Sequence, residues 1–176
     1  MGRNFILVIA LAGASACAST GAVPLPFPAP GRGPAPTPPA PAAPGLPADA
    51  YAISGAALSL RGTPYRNGGS DPSGFDCSGL VWYVFTQHGV QVPRTVFEQF
   101  RAGTHVDTGD LRAGDLLFFD TAEPAAPAGV HGATHVGISI GGDEFVHAPS
   151  STGEVRVERL GSSYWRPRFV EARRVR

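Results

Sequence analysis

Cys77, His135 and His147 are the residues of this 176-residue chain whose types and surroundings best fit reactive chemistry. Cys77 follows Asp76 and a run of turn formers, Asn67-Gly68-Gly69-Ser70-Asp71-Pro72-Ser73-Gly74. It precedes Leu80, Val81, Val84 and Phe85, the spacing of a helix buried on one face and ended by Gly89. Asp76 is then the cap and Cys77 lies on the first turn, where the positive end of the helix dipole favours a thiolate. A lone cysteine is more commonly a small buried hydrophobe, so the histidines decide between the two roles. His135 opens one strand-like run and His147 ends the next, with Gly141-Gly142-Asp143 between them. A three-residue loop pairs Ile140 with Glu144 and His147 with Gly137, which sets both histidines on one face as diagonal neighbours; a two-residue loop sets them on opposite faces. On one face, they offer a helix-borne nucleophile a base and an orienting group, the Cys–His–polar arrangement of thiol hydrolases.

The elements that must position these residues are legible in the hydrophobic pattern. Ala48 to Arg61 carries Tyr51, Ile53, Ala57, Leu58 and Leu60 before Gly62-Thr63-Pro64 and reads as a helix, as does Cys77 to His88. Thr95 to Ala102 reads as a shorter helix, with Thr95 and Glu98 spaced as a capping box. Beyond Gly114 the period changes. Asp115 to Asp120, His135 to Ile140, Glu144 to Ala148, Glu154 to Arg159 and Arg168 to Val175 read as five strands. Helices first and an antiparallel sheet afterwards imply an α+β domain over residues 48 to 176.

Composition sets the rest of the chain apart. Eleven of the 18 prolines lie between Pro24 and Pro47, and residues 17 to 47 are expected to be a disordered, polyproline-biased linker. Residues 1 to 16 read as a secretory signal, with Arg3 ahead of an apolar run from Phe5 to Ala12 that is too short to span a bilayer. Ala14-Ser15-Ala16 before Cys17 fits an ordinary signal-peptidase site and also a bacterial lipobox, which would lipidate Cys17 and tether the domain to a membrane. Two cysteines exclude a disulfide-stapled fold. Fourteen basic residues, all arginine, against 14 acidic ones give no net charge, which argues against a nucleic-acid binder working by bulk electrostatics.

Several motifs in order resemble the NlpC/P60 cell-wall endopeptidases: Pro64-Tyr65-Arg66-Asn67-Gly68-Gly69, Phe75-Asp76-Cys77-Ser78-Gly79-Leu80-Val81, Val92-Pro93-Arg94-Thr95, Leu111-Arg112-Ala113-Gly114-Asp115-Leu116-Leu117-Phe118-Phe119, His135-Val136-Gly137-Ile138-Ser139-Ile140-Gly141 and Phe145-Val146-His147-Ala148. The ending Tyr164-Trp165-Arg166-Pro167-Arg168-Phe169 resembles the small lipoprotein members. The resemblance implies a compact papain-like core with Cys77 as nucleophile, His135 as general base and His147 as its orienting partner. It places Tyr65 near the oxyanion or substrate, and Asp76 and Ser78 at positions that shape substrate subsites. Arg94 is expected to pin the loop before the third helix. The implied substrate is a stem-peptide or cross-link amide of peptidoglycan. No metal or cofactor is implied, and a monomer in the periplasm or cell envelope of a bacterium is expected.

Other readings compete with this one. His131 and His135 have the i, i+4 spacing of a metalloprotease pair, but the motif glutamate is missing and Gly132 and the Val-Gly-Ile-Ser-Ile run disfavour a helix. A thiol amidase or acyltransferase would use the same residues and differ in its products. A catalytically silent wall-binding lipoprotein would not need all three. The stretch Thr121 to Thr134 is expected to be a long loop, either bordering the cleft or a neutral insertion, with His131 in it, and His88 and His105 to be surface residues. Five arginines among the last 11 residues suggest either a solvated strand edge or attraction to wall carboxylates.

Overall fold

The computed structural model describes residues 49–122 and 132–176. The signal segment, Cys17, the proline-rich stretch, His131 and most of the loop from Thr121 to Thr134 lie outside the described residues.

Helix α1 (Ala50–Ser59) starts at Asp49, whose carboxylate accepts the Tyr51 N–H at 2.9 Å. It buries Ile53, Ser54 and Ala57 but leaves Tyr51 82% exposed, so its inward face is narrower than the apolar spacing suggests. The turn-rich stretch after it forms a small hairpin of β1 (Ser70–Asp71) and β2 (Gly74–Phe75). Helix α2 (Cys77–Gln87) is capped by Asp76, which accepts the Gly79 N–H at 2.6 Å, and it stops at His88 before Gly89 at φ 74°. Helix α3 (Val96–Gln99) is a single turn. The Thr95 hydroxyl accepts the Glu98 N–H at 3.3 Å as the expected N-cap, but the Glu98 carboxylate accepts from that hydroxyl at 2.7 Å, which is not the reciprocal backbone contact of a capping box, and the expected helix to Ala102 does not continue past Gln99.

The remaining strands are β3 (Thr104–Val106), β4 (Leu116–Phe119), β5 (His135–Gly141), β6 (Glu144–His147), β7 (Arg156–Arg159) and β8 (Phe169–Arg174). They form one antiparallel sheet in the order β3-β8-β4-β5-β6-β7. Five correspond to the strands expected from sequence. The sixth, β3, is three residues long and pairs with the edge of β8, so the sheet has six strands rather than about five.

Alternation along the strands builds two cores. Leu116, Phe118, Val136, Ile138 and Val146 face Ile53 and Ala57 of α1 and Leu80, Val81, Val84 and Phe85 of α2. Leu117, Phe119, Phe145 and Ala172 gather with Val106 and Trp165 in the second cluster. Each fully buried Leu or Phe contributes roughly 1.5–3 kcal/mol, against about 0–1 for a surface pair such as Arg66–Asp71, whose side chains are half exposed. The two cores therefore hold the fold. One ion pair does belong to the interior: Arg174 grips buried Asp115 with both ends of its guanidinium, at 2.7 and 2.8 Å, tying β8 to the start of β4. At least that arginine of the C-terminal group is thus structural.

Gly79 shows how tightly the start of α2 is packed. Alanine inside a helix normally gains about 1 kcal/mol over glycine. Here a Cβ would collide with the Gly69 carbonyl oxygen and come within 3.0 Å of Arg94 Nη2. Gly79→Ala is expected to destabilise the domain by roughly 1–3 kcal/mol, read as a lower Tm, and a variant as stable as the parent would show that the Gly69 turn yields.

Candidate active site

The β5–β6 hairpin brings the two histidines together by a route that its loop length alone did not foretell. Gly141 pairs with Glu144, leaving a two-residue turn of Gly142-Asp143, and the expected Ile140–Glu144 pairing does not occur. Two residues further back the register is Ser139–Phe145 and Ile138–Val146, so Ile140 is an extra residue accommodated as a bulge. Positive φ at Gly141 (96°) and Gly142 (62°) makes this tip possible, and the Asp143 carboxylate fixes it by accepting the Gly161 N–H at 2.8 Å. Continuing the inner register sets Gly137 opposite His147, and a Cβ at Gly137 would come within 3.2 Å of the His147 Cβ. The bulge thus returns His147 to the face of His135, the arrangement that the three-residue loop was expected to give.

His135 Nε2 and His147 Nδ1 are 2.9 Å apart, and both rings are buried. Phe119, Phe145 and Trp165 surround the pair, with ring centroids between 4.9 and 6.3 Å from one or both histidines. Burial among these rings pushes His135 down to about 4. It also lowers His147, with His135 and the Arg156 guanidinium adding to the effect. Both rings are therefore neutral at neutral pH. With its Nε2 engaged by His147, His135 has Nδ1 left for the cysteine.

Cys77, at the N-terminus of α2, meets the strand that carries His135. The Val136 N–H, next in the chain to His135, is one of three backbone donors that stabilise its sulfur as an anion, with those of Ser78 and Cys77 itself. Burial nevertheless dominates: with the Asp76 carboxylate adding in the same direction, it pushes the Cys77 thiol up to about 11. The poised thiolate expected from the helix terminus is thus not the resting state, because desolvation of the sulfur outweighs its N–H contacts.

Tyr65 also belongs to the site. Its backbone is anchored on both sides, donating to Gly153 at 2.7 Å and bridging to Phe75. Burial raises its phenol, and proximity to Cys77 and Asp76 raises it further. Asp76 and Ser78, expected to shape substrate subsites, are both engaged by Arg94. Arg94 donates to Asp76 Oδ1 and Oδ2 at 3.0 and 2.7 Å, to the Ser78 hydroxyl at 2.9 Å and to the Gly69 carbonyl at 3.2 Å. Arg94 therefore locks the start of α2 against the turn before it, and it pins more than the loop before α3.

Sequence reasoning passed over Gln99, which is fully buried and donates to the Ser78 and Pro93 carbonyls at 3.0 and 2.7 Å. A polar residue on the inward face shared by Val96 and Phe100 was the available signal. Trp165 was seen only as part of a motif, and nothing in the chain pattern placed it against the histidines. His105 is exposed, as expected, while His88 is half-buried at the end of α2. The loop closes at its base, where Thr121 donates its N–H to the Thr134 hydroxyl at 2.7 Å. Among the described residues no cluster of three His, Cys, Asp or Glu is placed to hold a metal, and no helix is long and apolar enough to cross a membrane.

A helix-borne cysteine beside a histidine pair on an antiparallel sheet defines an α+β domain of the papain-like kind. The chain belongs to the NlpC/P60 family, whose model matches residues 62–174. Murein DD-endopeptidase MepS/Murein LD-carboxypeptidase of Escherichia coli K12 is 43% identical over 116 residues, covering 65% of this chain and 57% of that protein. The chain thus matches little more than half of that relative's length. Among solved structures, an NlpC/P60 family protein from Bacillus cereus ATCC 10987 aligns with a TM-score of 0.65 at 31% identity, over 72% of this chain and 40% of that one. The NlpC/P60 domain of the peptidoglycan hydrolase SagA aligns with a TM-score of 0.59 at 35% identity, over 72% of this chain and 98% of that one.

Burial of neutral His135 makes the fold acid-sensitive. Its folded value of about 4 lies below the ordinary 6.5, so below pH 6.5 the unfolded chain takes up a proton that the folded chain refuses. The stability it confers is complete above pH 6.5 and is lost as the pH falls from there toward 4. Between pH 7 and 4.5 this should cost about 2–3 kcal/mol, with His147 adding in the same direction. Urea midpoints across that range should fall in the parent and fall less in His135→Gln; equal slopes would contradict a neutral buried His135.

Proposed function

We propose that this chain is a peptidoglycan hydrolase, cutting stem-peptide or cross-link amide bonds with Cys77 as nucleophile, His135 as general base and His147 as the residue that orients His135. The observation that carries this reading is the buried, hydrogen-bonded His135–His147 pair beside the sulfur at the start of α2. Family membership and the peptidoglycan-directed names of the relatives support it.

Because the thiol and both imidazoles are neutral at rest, the proton leaves sulfur as the attack proceeds. His135 Nδ1 takes it while the Cys77 sulfur bonds to the amide carbon. The Cys77 backbone N–H and the Tyr65 hydroxyl stabilise the oxyanion. His135 then returns the proton to the leaving amine and the C–N bond breaks, leaving a thioester. Water, deprotonated by the same imidazole, cleaves the thioester and restores thiol and acid. His147 keeps the ring oriented throughout. Its imidazole is uncharged, so it steers without the strong charge stabilisation that a carboxylate gives an imidazolium.

The D-alanyl–diaminopimelate cross-link is the favoured bond, because the 43% identical relative is named a murein DD-endopeptidase. Residues 1 to 16 direct export to the cell envelope, Cys17 is lipidated, and residues 17 to 47 tether the catalytic domain of residues 48 to 176.

Cys77→Ala and Cys77→Ser should each lower cleavage of purified cross-linked muropeptides by at least about 10³-fold, with thermal unfolding close to the parent. Mass spectrometry of the products identifies the bond, and full turnover in either variant would refute the nucleophile. Radioactive palmitate should label the full chain expressed in a bacterium and not Cys17→Ser; an unlabelled parent would remove the lipid anchor from this account.

A further inference from the structure

The histidine pair is held from a third side by Trp165, a residue that no part of the mechanism above uses. Its ring is 5.5 Å from His135 and nearly parallel to it, at 24°, and 4.9 Å from His147 and perpendicular to it, at 88°. A ring parallel to one partner and perpendicular to the other, at similar distances from both, roofs the contact between them. The indole and the Phe145 ring lie beside His147, whose outer edge is formed by Cε1 and Nε2. That edge contains a buried polar atom, His147 Nε2, with no hydrogen-bond partner among the described residues.

The position of that proton matters for catalysis. To present a bare Nδ1 to the thiol, neutral His135 must carry its proton on Nε2 and donate it to His147 Nδ1. His147 must then carry its own proton on Nε2. The opposite arrangement, with His147 Nδ1–H donating to His135 Nε2, forms the same 2.9 Å hydrogen bond but leaves His135 protonated at Nδ1 and useless as a base. The distance between the rings does not choose between the two. An electron-rich indole face against His147 Nε2 would, because it accepts an N–H and repels a bare lone pair.

We propose that Trp165 is a positioning residue that selects the catalytic tautomer of the His135–His147 pair by receiving the His147 Nε2–H on its ring face. Glu158 holds the indole for this purpose. Its carboxylate accepts the Trp165 Nε1–H and pairs through its other oxygen with Arg156 at 3.1 Å. Arg156 and Glu158 stand opposite His147 and Phe145 in the β6–β7 ladder, so the clamp and the pair share one stretch of sheet.

This inference rests on the proposed mechanism, and its test separates the two. Long-range ¹H–¹⁵N spectra of the parent domain should show His147 as the Nε2–H tautomer. Trp165→Leu, which keeps apolar bulk without a π face, should shift it toward Nδ1–H. In muropeptide cleavage Trp165→Leu should lose about tenfold or more in kcat with KM unchanged, while Trp165→Phe stays within about threefold of the parent. Should Trp165→Leu fail to fold, Glu158→Leu against Glu158→Gln is the second comparison, with the kcat loss expected only in the former. A parent His147 protonated at Nδ1, or variants with unaltered tautomer and kcat, would overturn the role of Trp165. An inactive parent with His147 as Nε2–H would instead overturn the proposed reaction and leave the tautomer selection standing.

Discussion

The 2.9 Å contact between His135 and His147 organises this domain. It requires two adjacent strands in a fixed register, a third element to cover the rings, and a helix whose first turn arrives beside them. Each requirement is met by a different part of the chain. The bulge at Ile140 sets the register, the turn before β8 supplies Trp165, and the Arg94–Asp76 pair fixes the start of α2. Enclosed together among aromatic rings, the two form a neutral, hydrogen-bonded pair.

Burial gives the site its electrostatic character. The same desolvation that keeps His135 neutral also keeps the proton on Cys77, so the resting site holds no ion pair. Attack and proton transfer must then be coupled. This differs from the picture in which a helix N-terminus alone activates sulfur. Three backbone donors do favour the anion, but they act against the loss of water around the atom and against the nearby Asp76 carboxylate. Asp76 thus has two opposed effects, capping the helix that carries Cys77 while raising the thiol.

The polar framework around the site is built from few residues with many bonds each. Arg94 reaches Asp76, Ser78 and Gly69; Gln99 reaches Ser78 and Pro93; Gly79 leaves the space through which these groups approach. Such a network leaves little freedom at the first turn of α2, where the sulfur must be placed within a fraction of an ångström. Asp76 and Ser78 are both bound into this framework.

The sequence by itself determined much of the secondary structure and singled out Cys77, His135 and His147 as candidate reactive residues. The helix at Cys77, its Asp76 cap and Gly89 end, and five of the six sheet strands follow from local periodicity and end signals, which depend on near neighbours. Tertiary structure decided what depends on distant ones. The three-residue strand β3 exists because β8 lies beside it, and α3 stops after one turn. A two-residue turn and a bulge at Ile140 yield the same facing as the three-residue loop, and counting residues does not distinguish the two routes. The protonation of Cys77, the burial of Gln99 and the placement of Trp165 over the histidines arise from groups brought together across the fold. Burial and hydrogen-bond satisfaction are properties of assembled surroundings, which no local stretch of chain contains.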